Sequence, residues 1–166
     1  MDKSQASGKL IHSGDRRHVR RILAVSSGGG HWVELMRLIP AFEGHHTTFV
    51  TVDKAYQADV RGFDFYIVHD VTRWNKIRWL YTIVQLLKIV LMVRPHVVIS
   101  TGALPGYFAV RIGKMFGCRT IWVDSLANVD ELSMSGARIG KCADLWLTQW
   151  PHLAKPDGPE YAGQVI

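Results

Sequence analysis

A run of three glycines, Gly28–Gly30, constrains this chain more than any other feature of its sequence. It follows the apolar run Ile22-Leu23-Ala24-Val25 and two serines, Ser26 and Ser27, and it precedes a helical pattern that opens with His31. An apolar segment, then glycines, then a helical pattern predicts a strand, a loop and a helix in that order. Glycines let the backbone turn sharply and bring its N–H groups close to an anion, and the following helix points its positive dipole end at the same place. The loop therefore predicts a phosphate or diphosphate site with a histidine at its entrance.

His31 is a candidate general base. It stands at the predicted start of the helix, where the positive end of the helix dipole disfavours a protonated imidazole. A neutral imidazole beside a bound hydroxyl is what a general base requires. The same residue could instead cap the helix or bind a phosphate through a hydrogen bond. The sequence leaves both roles open.

The glycine loop departs from the common nucleotide-binding fingerprints. Gly28 and Gly30 begin a dinucleotide-binding pattern, and Asp53, after the next predicted strand, could bind a ribose. The third glycine position holds Val33, however, where close packing of helix on strand needs a small residue. The Gly-Lys-Ser/Thr ending of a P-loop is also absent. These departures argue against a nicotinamide-dependent oxidoreductase, and a glycine turn that binds no ligand stays an alternative.

The rest of the chain alternates strand-like and helix-like segments. Strands are predicted at 22–25, 47–52, 65–68, 97–100, 120–123 and 145–148, and helices at 31–42, 75–93, 106–116 and 137–142. This alternation predicts an α/β fold with a doubly wound parallel sheet. Ligands of such sheets bind at the carboxyl ends of the strands, near the point where the strand order reverses.

Two further predicted strands end in polar residues. The fourth ends in Ser100-Thr101-Gly102, with Gly106 in the turn that follows, and its hydroxyl and N–H groups would suit a second phosphate contact. The fifth ends in Asp124 and Ser125, which could hold a sugar hydroxyl or cap a helix. Because the carboxyl ends of parallel strands meet at one edge of a sheet, we expect these residues and the glycine loop to line one crevice.

The length and charge of the chain limit its class. Its 166 residues suit one domain with its own core. The net charge of +6 is concentrated in residues 1–21 and 61–94, which each carry six basic and two acidic residues. Neither segment forms a recognisable nucleic-acid-reading motif, so no nucleic-acid partner is expected. Residues 1–19 are polar, without the apolar core of a signal peptide, and predict a disordered basic tail.

Residues 74–94 are unusually apolar for a soluble helix. Their polar side chains form one narrow stripe, and apolar residues cover more of the helix than a single core face needs. Basic residues and tryptophans at one end are typical of a helix that lies on an anionic membrane. The predicted membrane contacts are Trp74, Arg78, Trp79, Ile83 and Leu87. The alternative is a helix covered by the sheet on one side and by a partner protein on the other.

Considered together, these motifs resemble one family. They are similar to the acceptor-side subunits of two-subunit GT-B glycosyltransferases, the PssD-like proteins of bacterial exopolysaccharide synthesis. These are related to the eukaryotic subunit that helps to add the second N-acetylglucosamine to dolichol diphosphate, and in plan to the N-terminal half of MurG. The resemblance runs through residues 20–166 and rests on five segments: Ser27–His31, Ser100–Gly102, Val123–Ser125, Leu132–Gly136 and Ala143–Trp150.

The resemblance implies the Rossmann-like N-terminal half of a GT-B enzyme. Residues 1–19 would be a tail, 20–150 an acceptor-binding domain, and 151–166 a hinge that contacts a partner. The implied acceptor-diphosphate contacts are Ser26, Ser27, Gly28, Gly29, Gly30, Ser100, Thr101, Gly102 and Gly106. The implied catalytic residues are His31 and Asp124. Contacts with the acceptor sugar or the partner would be Ser125, Asn128, Ser133, Ser135, Gln149 and Trp150.

The sequence departs from the eukaryotic relatives at three points. They have a Glu in place of Asp124 and an Arg in place of Asn128, which puts the identity of the sugar or acceptor in doubt. They also carry an N-terminal membrane span, whereas residues 1–19 of this chain are hydrophilic.

The function implied is that of a subunit on the cytoplasmic face of the plasma membrane. Cys118 and Cys142 are too few and too far apart for a zinc site, and they suit the reduced thiols of such a location. The subunit would bind a polyprenyl-diphosphate saccharide while a donor-side partner holds the UDP-sugar, with UDP-glucuronate expected from the PssD likeness. No metal and no cofactor are implied. The alternative is a non-catalytic membrane adaptor that recruits and activates a complete glycosyltransferase.

Overall fold

Seven parallel strands form one sheet. The computed structural model of the protein describes residues 19–71 and 76–165, with only the backbone described at residues 76 and 77; the predicted tail up to residue 18 and Trp74 therefore lie outside the described residues. The strand order is β3-β2-β1-β4-β5-β6-β7, and all pairs are parallel. The strands are β1 Arg21–Val25, β2 His46–Thr51, β3 Asp64–Ile67, β4 Val97–Ser100, β5 Arg119–Val123, β6 Leu145–Thr148 and β7 Glu160–Tyr161.

Within the described residues, four α-helices cover the two faces of this sheet. They are α1 Gly30–Arg37, α2 Lys76–Val93, α3 Ala103–Met115 and α4 Met134–Ile139. Side chains alternate along β1, so Ile22 and Ala24 pack with α1, whereas Leu23 and Val25 pack with the other three helices. Both faces are thus buried, which confirms the predicted doubly wound α/β fold.

The strand order reverses between β1 and β4. From β1 the chain proceeds to β2 and β3 on one side, and it then crosses to β4 and the remaining strands on the other side. The loops after β1 and β4 therefore separate at the carboxyl edge and leave a crevice between them. These are the two glycine-containing loops that the sequence singled out.

Two predicted boundaries moved for local reasons, and one strand was not predicted. The first helix ends at Arg37, and Ile39–Phe42, with Pro40 near its start, forms a separate 3₁₀ helix. Helix α4 begins at Met134 because the Ser133 side chain caps it by accepting from the Gly136 N–H. The predicted hinge contains an unpredicted strand, β7, which pairs with β6.

Helix α2 exposes a different apolar face from the one predicted to meet a membrane. Ile83 and Leu87 pack against the core, because their positions on the helix face the sheet. The apolar side chains that α2 exposes are Leu80, Tyr81, Val84, Leu91 and Met92. No helix within the described residues combines the length and the apolar character that a membrane span requires.

Candidate functional site

The loops after β1 and β4 are joined to each other through His31 and Thr101. The His31 Nδ1 atom lies 3.0 Å from the Thr101 carbonyl oxygen, and the Thr101 hydroxyl donates to the His31 carbonyl over 2.7 Å. Thr101 is fully buried. This reciprocal pair holds the start of α1 against the β4 loop at the point where the strand order reverses.

The Thr101 carbonyl also sets the tautomer of His31. A carbonyl oxygen only accepts, so Nδ1 must carry the proton and donate it. In a neutral imidazole, Nε2 then has a free lone pair. His31 is half-buried and lines an open cavity. The geometry therefore presents a proton acceptor to whatever occupies that cavity.

Gly102 gives His31 its position. Its φ of +139° lies in the region that favours glycine, and a Cβ there would stand 2.5 Å from both Cε1 and Nδ1 of the His31 ring. The imidazole thus lies directly against the backbone of the β4 loop. Gly102 acts by leaving room for the ring.

Ser100 and Gly106 form the inside of the β4 loop. A Cβ on Gly106 would meet Ser100 Oγ at 1.8 Å, so α3 can approach β4 this closely only with glycine at that position. The Ser100 hydroxyl is buried and accepts from the Gly102 N–H over 3.1 Å. The Ser26 hydroxyl is likewise buried and donates to the Ser27 carbonyl. These three predicted diphosphate contacts shape the loops from within.

The glycine loop itself lies under a tyrosine that the sequence did not point to. The Gly29 N–H donates to the Tyr56 hydroxyl over 2.8 Å, and a Cβ on Gly28 would stand 2.9 Å from that oxygen. The Tyr56 ring packs on Trp32, with ring centroids 5.0 Å apart. Gly29 and Gly30 are exposed, and α1 begins at Gly30, so the first N–H groups of this helix open toward the crevice.

A cavity of about 330 Å³ adjoins the glycine loop and His31. The structure brings four of the predicted sugar-contacting residues together in its wall, namely Ser125, Asn128, Ser133 and Ser135. The remaining lining residues are Gly30, His31, Ala103, Ala127 and Met134. None of these described lining residues is Lys or Arg, so the cavity offers hydroxyl, amide and imidazole groups.

Asp124 is an internal anchor in this structure. It is 1% exposed, and it is not among the residues that line the cavity. Its carboxyl group accepts from both the N–H and the hydroxyl of Ser133, and Trp122 Nε1 also donates to it. These contacts attach the start of α4 to the end of β5. They differ from what a base facing a substrate would show, because the carboxyl is already engaged on the inside.

Gln149 and Trp150 also bind to the protein itself. Gln149 is 1% exposed, and its amide connects the Asp124 carbonyl to the Val165 N–H. Trp150 Nε1 donates to the Leu126 carbonyl over 2.9 Å. Gln149 was predicted to contact the acceptor sugar or the partner, but in this structure its side chain is buried between β5 and the C-terminal segment.

Glu34 was not predicted as a site residue, although it is one helical turn after His31. It is 94% buried, since its exposed fraction is 6%. Its Oε1 accepts from the Ser125 hydroxyl over 2.9 Å and from the Leu126 N–H over 2.8 Å. Its Oε2 is buried and has no hydrogen-bond partner among the described residues. In the sequence, a glutamate at this spacing resembles an ordinary helix residue, and only the contact across to the β5 loop reveals it.

An aromatic groove of about 150 Å³ adjoins the cavity beside His31. Met134 and Ser135 line both spaces. The other lining residues of the groove are Trp79, Leu104, Tyr107, Phe108 and Arg138. The groove thus extends from the polar cavity to Trp79 of α2, the residue before the exposed Leu80.

The fold matches one half of a known class of glycosyltransferase. MurG of Acinetobacter baumannii superposes with a TM-score of 0.72 at 9% identity, over 86% of this chain and 45% of the MurG chain. This chain therefore spans less than half of that enzyme. The sheet, with its glycine loops at the strand-order reversal, forms a Rossmann-like domain whose fold is similar to that half of MurG.

Sequence comparison gives the family. The model of the family "Oligosaccharide biosynthesis protein Alg14 like" matches residues 67–165, more than half of the chain, and the protein belongs to that family. A relative from Mus musculus, named UDP-N-acetylglucosamine transferase subunit ALG14, is 24% identical over 90% of this chain and 85% of its own length. The protein of the same name from Yarrowia lipolytica is 35% identical over 44% of this chain and 37% of its own length.

Proposed function

We propose that this protein is the acceptor-binding subunit of a UDP-sugar-dependent glycosyltransferase that extends a lipid-diphosphate saccharide. The curated relatives are named as subunits of a UDP-N-acetylglucosamine transferase, which supports a role in a two-part enzyme. The observation that carries the proposal is the His31–Thr101 pair, because it presents the lone pair of Nε2 to a cavity rich in hydroxyl groups.

In this proposal each part of the crevice has one task. The first N–H groups of α1 and the glycine loops bind the acceptor diphosphate, and the cavity takes the terminal sugar. The sugar hydroxyl attacks the anomeric carbon of the donor, His31 Nε2 takes its proton, and UDP leaves on the partner subunit. Asp124 holds the β5 loop and α4 in place, and we do not assign it the proton transfer.

The acceptor lipid would leave the crevice through the aromatic groove. That groove leads from the cavity toward the exposed apolar side chains of α2, such as Leu80 and Tyr81. Basic side chains on the same part of the helix, Arg78 and Lys88, suit anionic headgroups. We therefore propose a peripheral contact with the membrane surface that holds the acceptor. A cytoplasmic location belongs to the same proposal.

The donor sugar is the point on which the sequence resemblance and the relatives differ. The PssD likeness favours UDP-glucuronate and exopolysaccharide synthesis, whereas the names of the relatives favour UDP-N-acetylglucosamine. Both nucleotide sugars, radiolabelled, should be supplied to the chain alone and to the chain with a candidate donor-side partner. A polyprenyl-diphosphate saccharide serves as acceptor. We expect transfer only from the pair.

His31→Ala separates shared catalysis from a non-catalytic adaptor. Loss of a general base should lower turnover of the pair by roughly 10²- to 10⁴-fold while partner binding is retained. His46→Ala is a matched control, because His46 is exposed at the first residue of β2, at the opposite edge of the sheet. Unchanged turnover in His31→Ala would favour the adaptor, in which the partner contains the whole active site.

A further inference from the structure

Two groups that face the cavity beside His31 are fixed as hydrogen-bond acceptors by contacts outside it. The first is His31 Nε2, because Nδ1 donates to the Thr101 carbonyl. The second is the Ser125 hydroxyl, whose hydrogen is committed to Glu34 Oε1 over 2.9 Å. Ser125 Oγ also accepts from the Ala127 N–H over 3.3 Å, which leaves one lone pair free. Ser125 can therefore accept from a ligand in the cavity and cannot donate to it.

The hydrogen bond between Ser125 and Glu34 is well placed to fix the serine hydroxyl as an acceptor. Glu34 Oε1 is held in place by the Leu126 N–H over 2.8 Å, so the same oxygen secures the loop and takes the serine hydrogen. Its Oε2 is buried without a partner among the described residues, so the hydrogen bonds that the structure gives this carboxylate, both at Oε1, go to the β5 loop. A buried carboxyl oxygen without a partner is costly, and such groups in proteins call for an explanation. The role of Glu34 in fixing the Ser125 hydroxyl as a hydrogen-bond acceptor supplies that explanation.

The polarity of the cavity then selects the chemistry of its ligand. Phosphate oxygens are acceptors and need donors or cations around them. The described residues that line this cavity include no Lys or Arg. Asn128 and Ser135 can donate, but His31 Nε2 and the Ser125 hydroxyl can only accept, and a phosphate oxygen satisfies neither of these two. A sugar hydroxyl, in contrast, carries one hydrogen that it can donate to one acceptor. Two neighbouring hydroxyls would satisfy His31 and Ser125 together.

We infer that Glu34 is a positioning residue, which fixes Ser125 as a hydrogen-bond acceptor for the hydroxyl groups of the sugar in the cavity beside His31. The inference rests on the proposed function and divides its site in two. The diphosphate lies on the glycine loops, and the sugar that it carries lies in the cavity.

The test measures what the sugar adds to binding. The full chain is titrated by calorimetry with octyl diphosphate and with octyl diphosphate that carries N-acetylglucosamine. For the wild-type chain, the sugar should tighten binding. Ser125→Ala should reduce that gain by roughly three- to tenfold in Kd, the worth of one neutral hydrogen bond, and leave the Kd of octyl diphosphate unchanged.

Two substitutions at Glu34 test positioning against a merely structural role. Glu34→Gln keeps an oxygen that accepts from Ser125 and Leu126, so the increase in affinity that the sugar brings should persist. Glu34→Met has a similar length but accepts nothing, so the gain should fall as it does in Ser125→Ala. Glu43→Gln is the control for the change in charge, because Glu43 is exposed just before β2. Circular dichroism checks that each variant folds.

The outcomes separate this inference from the proposed function. The inference would be overturned if Ser125→Ala kept the full increase in affinity that the sugar brings. It would also be overturned if Glu34→Gln and Glu34→Met lost equal parts of that increase. A wild-type chain that binds octyl diphosphate no better when the sugar is attached would overturn it as well, although the diphosphate site would then stand. If the wild-type chain binds neither compound, the inference and the proposed diphosphate site both fall.

Discussion

The two edges of the parallel sheet carry opposite kinds of surface. At the carboxyl edge, the cavity beside His31 is lined by neutral groups. At the amino edge, a cavity of about 640 Å³ is lined by four arginines, Arg20, Arg21, Arg94 and Arg119, together with His96. The arginine-lined cavity therefore lies at the edge of the sheet away from the glycine loops.

This difference indicates how an anion would be recognised at the carboxyl edge. Backbone N–H groups and the α1 dipole act only over the first turn of a helix, so they select by geometry at close range. Arginine side chains attract anions over longer distances and with less dependence on geometry. Under the proposed function, the arginine-lined cavity therefore lies at the edge of the sheet away from the acceptor diphosphate.

The amino edge also shows what crowded cations do to a titratable neighbour. Loss of water contact lowers the pKa of His96, and the positive charges of Arg21 and Arg20 lower it further. The His96 Nδ1 accepts from the Arg21 N–H over 2.9 Å, which suits a neutral ring. The two histidines thus differ at Nδ1, which accepts from a backbone N–H in His96 and donates to the Thr101 carbonyl in His31.

The largest effect is expected from Gly102→Ala at the carboxyl edge. The new Cβ would overlap the His31 ring, and the φ of +139° would strain alanine by about 1–3 kcal/mol. A displacement of the base by about 1 Å can cost 10²-fold in rate, so turnover of the reconstituted pair should fall by at least about that factor. Gly117→Ala is the matched control, because Gly117 has a φ of +75° and open space around it after α3. Gly117→Ala should lower the free energy of unfolding in urea but leave turnover intact. Equal losses of turnover in Gly117→Ala and Gly102→Ala would contradict the functional difference between the two edges.

A smaller effect, confined to stability, is expected from Asp144→Asn at the amino edge. The hydrogen bond from Lys114 lowers the pKa of Asp144, and Thr120 donates to the same carboxyl through its N–H and its hydroxyl. A carboxyl whose pKa is lowered by folding adds stability above its unfolded pKa and loses that contribution as the pH falls through the folded value. Asp144→Asn should therefore cost roughly 1–2 kcal/mol at pH 7, and the difference from wild type should shrink below about pH 4.

Urea unfolding at pH 7, 5 and 3 measures this change. The affinity for octyl diphosphate should be unaltered at pH 7, because Asp144 lies at the amino end of β6. A difference in stability that grows toward pH 3 would contradict the expected direction of the pH dependence.

The sheet was predictable because its strands are short apolar runs separated by polar turns. All six predicted strands exist within a residue or two, and the crevice between the loops after β1 and β4 follows from their order. Strand β7 was missed because Glu160-Tyr161 has two exposed residues and no apolar pattern. It forms because its backbone pairs with β6, a contact that no local pattern encodes.

The site was predictable in its glycines and less so in its side chains. Sequence order places polar residues at strand ends, but it does not say which of them turn inward. Asp124 and Gln149 turn inward, whereas Ser125 lines the cavity with the help of Glu34 from another element. The contact between Glu34 and Ser125 spans 91 positions, and only the tertiary fold brings the two together.

The smallest effect should come from removing charge at the amino edge. Strand β5 has five residues, so Arg119 at its start lies roughly 16 Å from the carboxyl edge, about twice the screening length of about 8 Å at physiological ionic strength. The double substitution Arg20→Gln and Arg119→Gln should therefore change the Kd of octyl diphosphate by less than about twofold, as measured by calorimetry. The same variant should raise the pKa of His96 toward its ordinary value in an NMR titration, because the repulsion from Arg20 is gone. That shift shows that the local potential has changed. A fivefold loss of affinity alongside it would place the anion site among the arginines and reverse the assignment of the two edges.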